Sequence, residues 1–338
     1  MRRCDYCAFA TWDDRPGLIP AYVAALRSEI LAEVDRGLAP ATSVFVGGGT
    51  PSLLSGEQLA SVLDAVPLVA GAEVSVECNP DTVSAELLSG YADAGVNRIS
   101  LGVQSMVPHV LSALGRTHDV ANVRRSVEAI RAVGFGSFNL DVIYGAAGES
   151  RADWRRTVEA VVALDPPHVS AYGLTVEPGT PLAEDRARHP DDDVQADQYV
   201  AADAMLEQAG LRSYEISNWA RPGHECRHNL LYWSQGDYRG FGCAAHSHRD
   251  GRRWWNVRTP ERYLALVEGG RTAEASGEDL SAEERRLEGL QLSLRTSAGV
   301  PAGALPPDAL DGLDGLVERA GARVVLTRAG RLLANEVA

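Results

Sequence analysis

Two cysteines near the amino end of the chain have a spacing that suits metal or redox chemistry. Cys4 and Cys7 are separated by two residues in the segment MRRCDYCAFATW. A Cys-x-x-Cys pair can hold a metal ion, part of an iron-sulfur cluster or a disulfide, but two thiols do not complete a tetrahedral site. The chemistry of this pair therefore depends on ligands from elsewhere.

A second set of polar residues follows the predicted strands. The segment GGGTP at 47–51 closes a strand, and glycines there let backbone amides approach a ligand closely. A single charged residue at a strand end is usually solvated. Several such residues on successive parallel strands meet at one rim, which could hold a ligand with amino, carboxylate and ribose groups. The candidates for this rim outside the glycine segment are Glu77, Gln104, Arg116 and Asp141.

A third set lies in HNLLYW at 228–233. His228 offers an imidazole to iron, and Tyr232 and Trp233 could stack on a flat macrocycle. The alternative is a loop that histidine and tyrosine hydrogen bonds hold together, and the residues alone leave both interpretations open. Secondary candidates nearby are Cys226, His224, His246 and His248, whereas Cys243 is expected to be packed.

The elements that must position these residues alternate between helix and strand. From residue 17 to about residue 216, helical periodicity alternates with short apolar runs, which predicts parallel βαβ units and a partial TIM-type barrel of the α/β class. RSYEISNWA is predicted as one further strand, and 218–255 as irregular. The ending GARVVLTRAGRLLANEVA predicts strand, turn and helix in a small winged-helix-like module. The predicted division is a barrel at 1–216, an aromatic- and histidine-rich connecting region at 217–276 and a C-terminal cap at 277–338.

Composition limits the classes of function. The 338 residues carry a formal net charge of -14, which argues against a nucleic-acid partner. All 32 basic residues are arginines, and the absence of lysine excludes a Schiff-base lysine, a pyridoxal phosphate site and a phosphate-loop lysine. Five unevenly spaced cysteines, no signal peptide and no apolar run of roughly 18 residues predict a cytoplasmic protein.

The motifs CDYCAF, GGGTP, ECNP, LGVQS, LGRTH, NLDVIYG and YGLTVEPGTPLA together resemble the radical S-adenosylmethionine superfamily. Within it, the chain is most similar to the oxygen-independent coproporphyrinogen oxidase group and its haem-chaperone branch, over nearly its whole length. This resemblance implies a 4Fe-4S cluster held by three cysteines of a C-x-x-x-C-x-x-C loop. It also implies S-adenosylmethionine on the fourth iron, bound through its amino and carboxylate groups.

The resemblance assigns residues to these groups. Cys4 and Cys7 would be cluster ligands. HNLLYW is associated with haem binding in the haem-chaperone branch, which makes His228, Asn229, Tyr232 and Trp233 candidates for haem. The S-adenosylmethionine candidates are Tyr6 (by its backbone), Gly48, Gly49, Thr50, Glu77, Gln104, Arg116, Asp141 and Thr175.

The sequence departs from the family pattern at its front. The first family cysteine would fall immediately before Met1, and the barrel strand that precedes this loop in the family is absent. We therefore expect Met1 to be an internal methionine and the barrel, as written, to lack its first strand. The oxidases carry a further cysteine two residues after the last cluster ligand. Phe9 stands there in this chain, which matches the haem-chaperone branch.

These observations predict a haem chaperone that binds haem and transfers it to acceptor proteins, among them a transiently contacted membrane protein. An oxygen-independent coproporphyrinogen III oxidase is the alternative within the family. A zinc-binding structural protein would use Cys4, Cys7, Cys226 and His228. A thioredoxin-like pair is disfavoured because no strand precedes Cys4. Enzymatic activity and oligomeric state stay open.

Overall fold

The computed structural model describes residues 4–12, 14–306 and 308–337. A seven-stranded sheet with the order β1-β2-β3-β4-β5-β7-β6 forms its centre. Strands β1 to β5 pair in parallel, as the alternation of helix and strand predicts, whereas β7 runs antiparallel to β5 and to β6. The strands are β1 Ala41–Val46, β2 Leu68–Cys78, β3 Arg98–Gln104, β4 Ser137–Tyr144, β5 His168–Gly173, β6 Arg212–Ser213 and β7 Asn218–Ala220.

Helices connect the strands and cover one face of the sheet. Four of the larger ones begin at side-chain N-caps, at Ser55, Ser84, Asp119 and Ser150, which supply acceptors for the first free amides. The helices from the amino end to β6 are α1 Ile19–Asp35, α2 Gly56–Leu63, α3 Ala85–Asp93, α4 Pro108–Ala113, α5 Val120–Val133, α6 Arg151–Ala163, α7 Pro181–Glu184 and α8 Asp192–Gln208.

The two faces of the sheet differ in polarity. Residues at alternate positions, such as Val76, Leu101 and Leu140, pack outward against the helices in the main hydrophobic core. The residues between them point to the inner face, which is polar and includes Glu73, Ser75, Glu77, Ser100, Asn139, Asp141, His168 and Ser170. A parallel sheet with a polar concave face is the fold expected of a barrel that binds ligands at its strand ends.

Two sequence predictions for the region after β5 are wrong. RSYEISNWA is not one strand, because the Glu215 carboxylate accepts from the Ser217 amide and from Asn218 and turns the chain between β6 and β7. The stretch 218–255 is not irregular, but its elements are too short for periodicity to reveal. They are α9 Arg227–Trp233, β8 His246–Arg249 and β9 Arg252–Asn256. Beyond this stretch lie α10 Pro260–Glu268 and β10 Glu274–Asp279, and β10 pairs with β9 and β8 in an antiparallel sheet of three strands.

The C-terminal segment forms a small sheet flanked by helices. Its ending has the predicted strand followed by helix: the strand ends at Leu326, and the Thr327 hydroxyl caps the helix that begins at Arg328. The predicted boundary between the barrel and the connecting region, at 216/217, falls between β6 and β7. The predicted boundary between the connecting region and the cap, at 276/277, falls inside β10. Both boundaries stay predictions. The elements are α11 Ala282–Leu294, β11 Val300–Pro301, β12 Val317–Ala320, β13 Arg323–Leu326, α12 Arg328–Leu332 and α13 Ala334–Val337.

Candidate functional site

The cysteine loop is anchored at the ends of the central strands. The Cys7 amide donates to the Cys4 carbonyl at 3.2 Å, which closes a tight turn between the two thiols. Between them, the Asp5 carbonyl accepts from the Leu182 amide at 3.1 Å and its carboxylate accepts from Arg188 at 3.1 Å. The loop is therefore fastened to the segment after β5 by both backbone and side chain.

Tyr6 packs into a small apolar cluster that includes Val107, Leu114 and Leu182. Burial raises the pKa of Tyr6 above its ordinary value, and the neighbouring Cys4 raises that pKa further. The side chain thus fixes the loop to the protein and leaves the Tyr6 backbone beside the two thiols.

Arg116 and Gln104 meet the cysteine loop at the rim. The Arg116 guanidinium lies 3.7 Å from Cys4 Sγ and donates to the Gly102 carbonyl at 3.1 Å. A Cβ on Gly102 would lie 2.9 Å from Gln104 Nε2 and 3.4 Å from Arg116 Nη2, so both side chains approach the backbone of Gly102 closely. Gln104 itself has φ 63°, a left-handed conformation that is uncommon outside glycine and occurs often at binding sites.

The glycine segment after β1 contacts Glu77 at the end of β2. The Gly48 amide donates to Glu77 Oε2 at 3.1 Å, and Gly48 has φ 109°, which a residue with a side chain rarely adopts. A Cβ on Gly47 would lie 3.0 Å from the Glu77 carboxylate. Gly49 lies in the same turn, and Thr50 precedes the short turn of helix at Pro51–Leu53.

Burial raises the pKa of Glu77 to about 7, the nearby Asp141 raises that pKa as well, and the Gly48 amide opposes the shift. Asp141 accepts from Ser100 Oγ at 2.8 Å and from Asn139 Nδ2 at 2.7 Å. Burial raises the pKa of Asp141, while these hydrogen bonds lower it. The structure therefore brings Glu77 and Asp141 together as two interacting carboxyls. Thr175 does not share these contacts, because its hydroxyl donates to the Gly173 carbonyl at 3.3 Å.

Helix α9 carries the HNLLYW segment and packs against β1. The His228 ring stacks on Phe45 at 5.4 Å between centroids, and its Nδ1 is hydrogen-bonded to Ser43 Oγ at 3.0 Å. Its Nε2 is hydrogen-bonded to the Tyr232 hydroxyl at 2.9 Å. Burial lowers the pKa of His228, which keeps the imidazole neutral at pH 7. Phe45 also lies against the Gly47 segment, so α9 adjoins the rim.

Asn229 and Trp233, the other two candidates on α9, lie in surroundings that differ from those of His228 and Tyr232. Asn229 Nδ2 donates to the buried Glu215 at 3.4 Å. In the described part of the chain, the indole nitrogen of Trp233 is buried and has no hydrogen-bond partner. Tyr232 is 41% exposed and makes an edge contact with Tyr238 at 4.6 Å. The structure thus groups His228 with Tyr232 and leaves Asn229 on the inner side.

The secondary candidates do not join one centre. Among the described residues, no three His, Cys, Asp or Glu side chains are grouped so that they could hold a metal ion. The four residues of the zinc hypothesis therefore do not meet, and Cys226 Sγ donates instead to Glu73 at 3.5 Å. His246 stacks on Trp255, His248 is buried, and Cys243 packs beside Tyr22 as expected.

The structure shows residues near α9 that sequence reasoning missed. Ser43, Phe45 and Glu73 all contact the first turn of α9 from the inner face of β1 and β2. The only sequence signal was the alternation of Glu73, Ser75 and Glu77 in one strand, which places all three on one face.

The residues present fit parts of the cofactors that the resemblance implies. Gly48 with Glu77, and Arg116 with Gln104, form two polar groups near strand ends, which would suit the amino and carboxylate groups of an amino acid. Cys4 and Cys7 would supply two thiols of a cluster site, and no third Cys, His, Asp or Glu is grouped with them in the described ranges. None of the described helices has the length and apolar character to cross a lipid bilayer.

Comparison with known proteins defines the class of this molecule. Residues 1–161 match the radical SAM superfamily. The solved structure of coproporphyrinogen III oxidase (HemN) from Escherichia coli, described as a radical SAM enzyme, has a TM-score of 0.87 with 22% identity and covers 99% of this chain and 86% of its own. The fold is therefore that of a radical SAM protein with a partial parallel barrel.

Relatives of known function narrow the assignment. "Heme chaperone HemW" of Mycobacterium tuberculosis strain H37Rv is 42% identical over 355 residues, which cover 100% of this chain and 91% of the relative. The protein of the same name from Bacillus subtilis strain 168 is 34% identical, and the match covers 99% of this chain and 94% of the relative. The chain belongs to the HemW family of heme chaperones.

Proposed function

We propose that this chain binds haem at α9 and transfers it to acceptor proteins, while the rim of its barrel binds a 4Fe-4S cluster and S-adenosylmethionine. The observation that carries this proposal is the position of His228. Its ring lies between Ser43 and Tyr232 and stacks on Phe45, which borders the Gly47 segment of the rim. The haem site would thus adjoin the cofactor site.

His228 has the chemistry of an axial ligand. Its lowered pKa favours the neutral imidazole, which is the form that binds iron. The Nε2 atom is covered by the hydroxyl of Tyr232, whose side chain is exposed and can rotate away. Tyr232 and Trp233 would then flank the macrocycle.

The rim residues would hold the cofactors by charge and shape. The Glu77 carboxylate would accept from the ammonium of S-adenosylmethionine, and the backbone at Gly48 and Gly49 leaves room for its carboxylate. Arg116 beside Cys4 would offset the negative charge of thiolate ligands. When bound, the cluster and S-adenosylmethionine supply one-electron reductive chemistry.

The cellular setting is part of the same proposal. We assign the chain to the cytoplasm, since its five cysteines are unevenly spaced and, all lying within the described ranges, form no disulfide with one another. Other proteins would accept the haem, and a membrane protein contacted only during transfer is one such acceptor. The barrel, the connecting region and the C-terminal cap would be three separate parts.

Titration with haemin tests the axial ligand. We expect His228→Gln to weaken haem binding about tenfold or more and to change the Soret band, because a carboxamide is a poor ligand for iron. His246→Gln is the matched control, since His246 is exposed and its ring stacks on Trp255 in β9. Equal haem affinity in His228→Gln and the unaltered protein would contradict the proposal.

Anaerobic incubation with coproporphyrinogen III, S-adenosylmethionine and a reductant tests the oxidase alternative. Phe9, which stands where the oxidases carry a cysteine, is 61% exposed. We expect no protoporphyrinogen IX to form. Its formation would show that the chain is an enzyme and would overturn a function limited to haem transfer.

A further inference from the structure

The amino end of α9 is held by side chains from inside the barrel. The first amides of a helix have no partner within the helix. Here the Cys226 amide donates to the Tyr214 hydroxyl at 3.4 Å, and the amides of Arg227 and His228 donate to Glu73 at 3.3 and 3.1 Å. The orientation of α9 is therefore determined by the barrel wall.

Glu73 has an unusual setting for a carboxylate. It is 9% exposed, and none of the ion pairs among the described residues involves it. Within the part of the chain that the structure describes, its oxygens accept from the two amides and from Cys226 Sγ alone, while the Arg227 guanidinium donates to the carbonyls of Thr42 and Gly71. Burying a carboxylate without a cation is unfavourable unless hydrogen bonds compensate for the lost hydration. Here both oxygens of Glu73 accept hydrogen bonds from the start of α9.

Ser43 and Glu73 are a cross-strand pair of β1 and β2. The two neighbours hold the same residue at two points. Glu73 Oε1 accepts from the His228 amide at 3.1 Å, and Ser43 Oγ is hydrogen-bonded to the His228 ring at Nδ1. With the backbone and one ring nitrogen both held, the ring turns its other nitrogen, Nε2, away from the sheet and toward Tyr232.

We propose that the Ser43–Glu73 pair is a positioning device that presents Nε2 of His228 to the iron of a porphyrin. This inference rests on the proposed haem site. For Nε2 to bind iron, Nδ1 must carry the ring proton and donate it to Ser43 Oγ. A hydrogen bond from the second nitrogen fixes the tautomer and the orientation of a ligating histidine and raises its basicity.

Haem titration and resonance Raman spectra of the ferrous complex test the pair. We expect Ser43→Ala to keep haem but to shift the iron–histidine stretching band, because Nδ1 loses its acceptor. Glu73→Ala is expected to lower haem affinity by about tenfold to a hundredfold, the range for lost partners of metal ligands. Glu73→Gln keeps an acceptor oxygen and should restore most of the affinity.

Glu29→Ala is the matched control for a buried carboxylate. Glu29 is also 9% exposed and accepts from the Gly242 amide and from Tyr263, away from α9. We expect this variant to unfold more easily while its haem affinity and Raman band stay unchanged. Hydrogen exchange without haem adds an independent measurement, in which Glu73→Ala, but not Glu29→Ala, speeds exchange at the amides of Arg227 and His228.

The outcomes separate this inference from the haem site on which it rests. If His228→Gln loses haem but Ser43→Ala and Glu73→Ala match Glu29→Ala in affinity and spectrum, the positioning role is overturned and the haem site stands. If His228→Gln keeps full affinity, the haem site itself is wrong, and the role of the pair falls with it.

Discussion

At the scale of single residues, Glu77 stands out at the rim because its surroundings raise the pKa of its carboxyl. Its carboxyl lies near Asp141 and accepts a hydrogen bond from the Gly48 amide. Because burial is the largest cause of its raised pKa, the neutral form is favoured at mildly acidic pH. A cationic group bound at the rim would reverse this balance and favour the ionised form. Glu77 thus carries a stability penalty at neutral pH that a ligand could relieve.

Replacing Glu77 with glutamine should stabilise the ligand-free protein at high pH. The folded-state pKa of about 7 exceeds the ordinary 4.5, so the folded chain holds the proton more tightly. The associated stability is complete below about pH 4.5 and is lost as the pH rises through about 7. The full shift corresponds to on the order of 3 kcal/mol, and we expect Glu77→Gln to gain a large part of it at pH 8 and little at pH 4.5.

Urea unfolding at several pH values measures this effect, with Glu128→Gln on the exposed side of α5 as the control. A free energy of unfolding that is lower for Glu77→Gln at pH 8 than for the unaltered protein would contradict it. The same variant should bind S-adenosylmethionine more weakly, because the carboxamide no longer pairs with an ammonium.

At the scale of elements, helices α2 and α3 meet at a contact that only glycine allows. A Cβ on Gly56 would lie 2.8 Å from the Gly90 Cα and 3.0 Å from its carbonyl carbon, both of them backbone atoms. Backbone cannot rotate aside as a long side chain can. Residues of both helices pack in the main hydrophobic core with Val76 of β2 and Leu101 of β3, next to the strand that carries Glu77.

We expect Gly56→Ala to destabilise the protein by about 1–3 kcal/mol through overpacking, although alanine favours helix. Gly136→Ala serves as the control, because Gly136 has no atom within 4 Å of a new Cβ and does not have positive φ. That variant should be neutral or more stable by about 0.4–1 kcal/mol. Equal midpoints of urea unfolding for the two variants would refute the close contact.

At the scale of the whole molecule, Asp203 joins the C-terminal segment to the barrel. It is fully buried on α8 and accepts from Trp219 Nε1 at 2.8 Å and from Arg331 at 2.8 Å. Arg328 also donates to it. One carboxylate therefore joins β7 of the central sheet to two arginines of α12.

Asp203→Ala should destabilise the protein by about 3–5 kcal/mol, because it leaves buried donors without an acceptor. We also expect the C-terminal segment to separate from the barrel in unfolding, so that tryptophan fluorescence and circular dichroism report different urea midpoints. Glu283→Ala, which removes an exposed pair with Arg286 on α11, is the control and should change neither. If the two signals give the same urea midpoint in Asp203→Ala, Asp203 does not join the C-terminal segment to the barrel in this way.

The sequence by itself determined the features that depend on neighbours along the chain. The five parallel strands follow from alternation of helical and strand periods, and the positions of Glu77 and Gln104 follow from where β2 and β3 end. Asp141 was expected at a strand end as well, but it lies inside β4. The carboxyl ends of parallel strands lie at one edge of a sheet, so the sequence alone predicts that residues at these ends lie near one another. The motifs that indicated the family are local in the same sense.

Only the tertiary structure decided how α9 meets the barrel. Ser43 and His228 are 185 positions apart, and α9 has seven residues, too few for a periodic pattern to reveal. Their contact depends on the curvature of the sheet and on the path of the chain after β7. A buried carboxylate such as Glu73 acquires its partners only when distant segments pack together. The rim could therefore be predicted from the sequence, whereas the positioning of His228 could not.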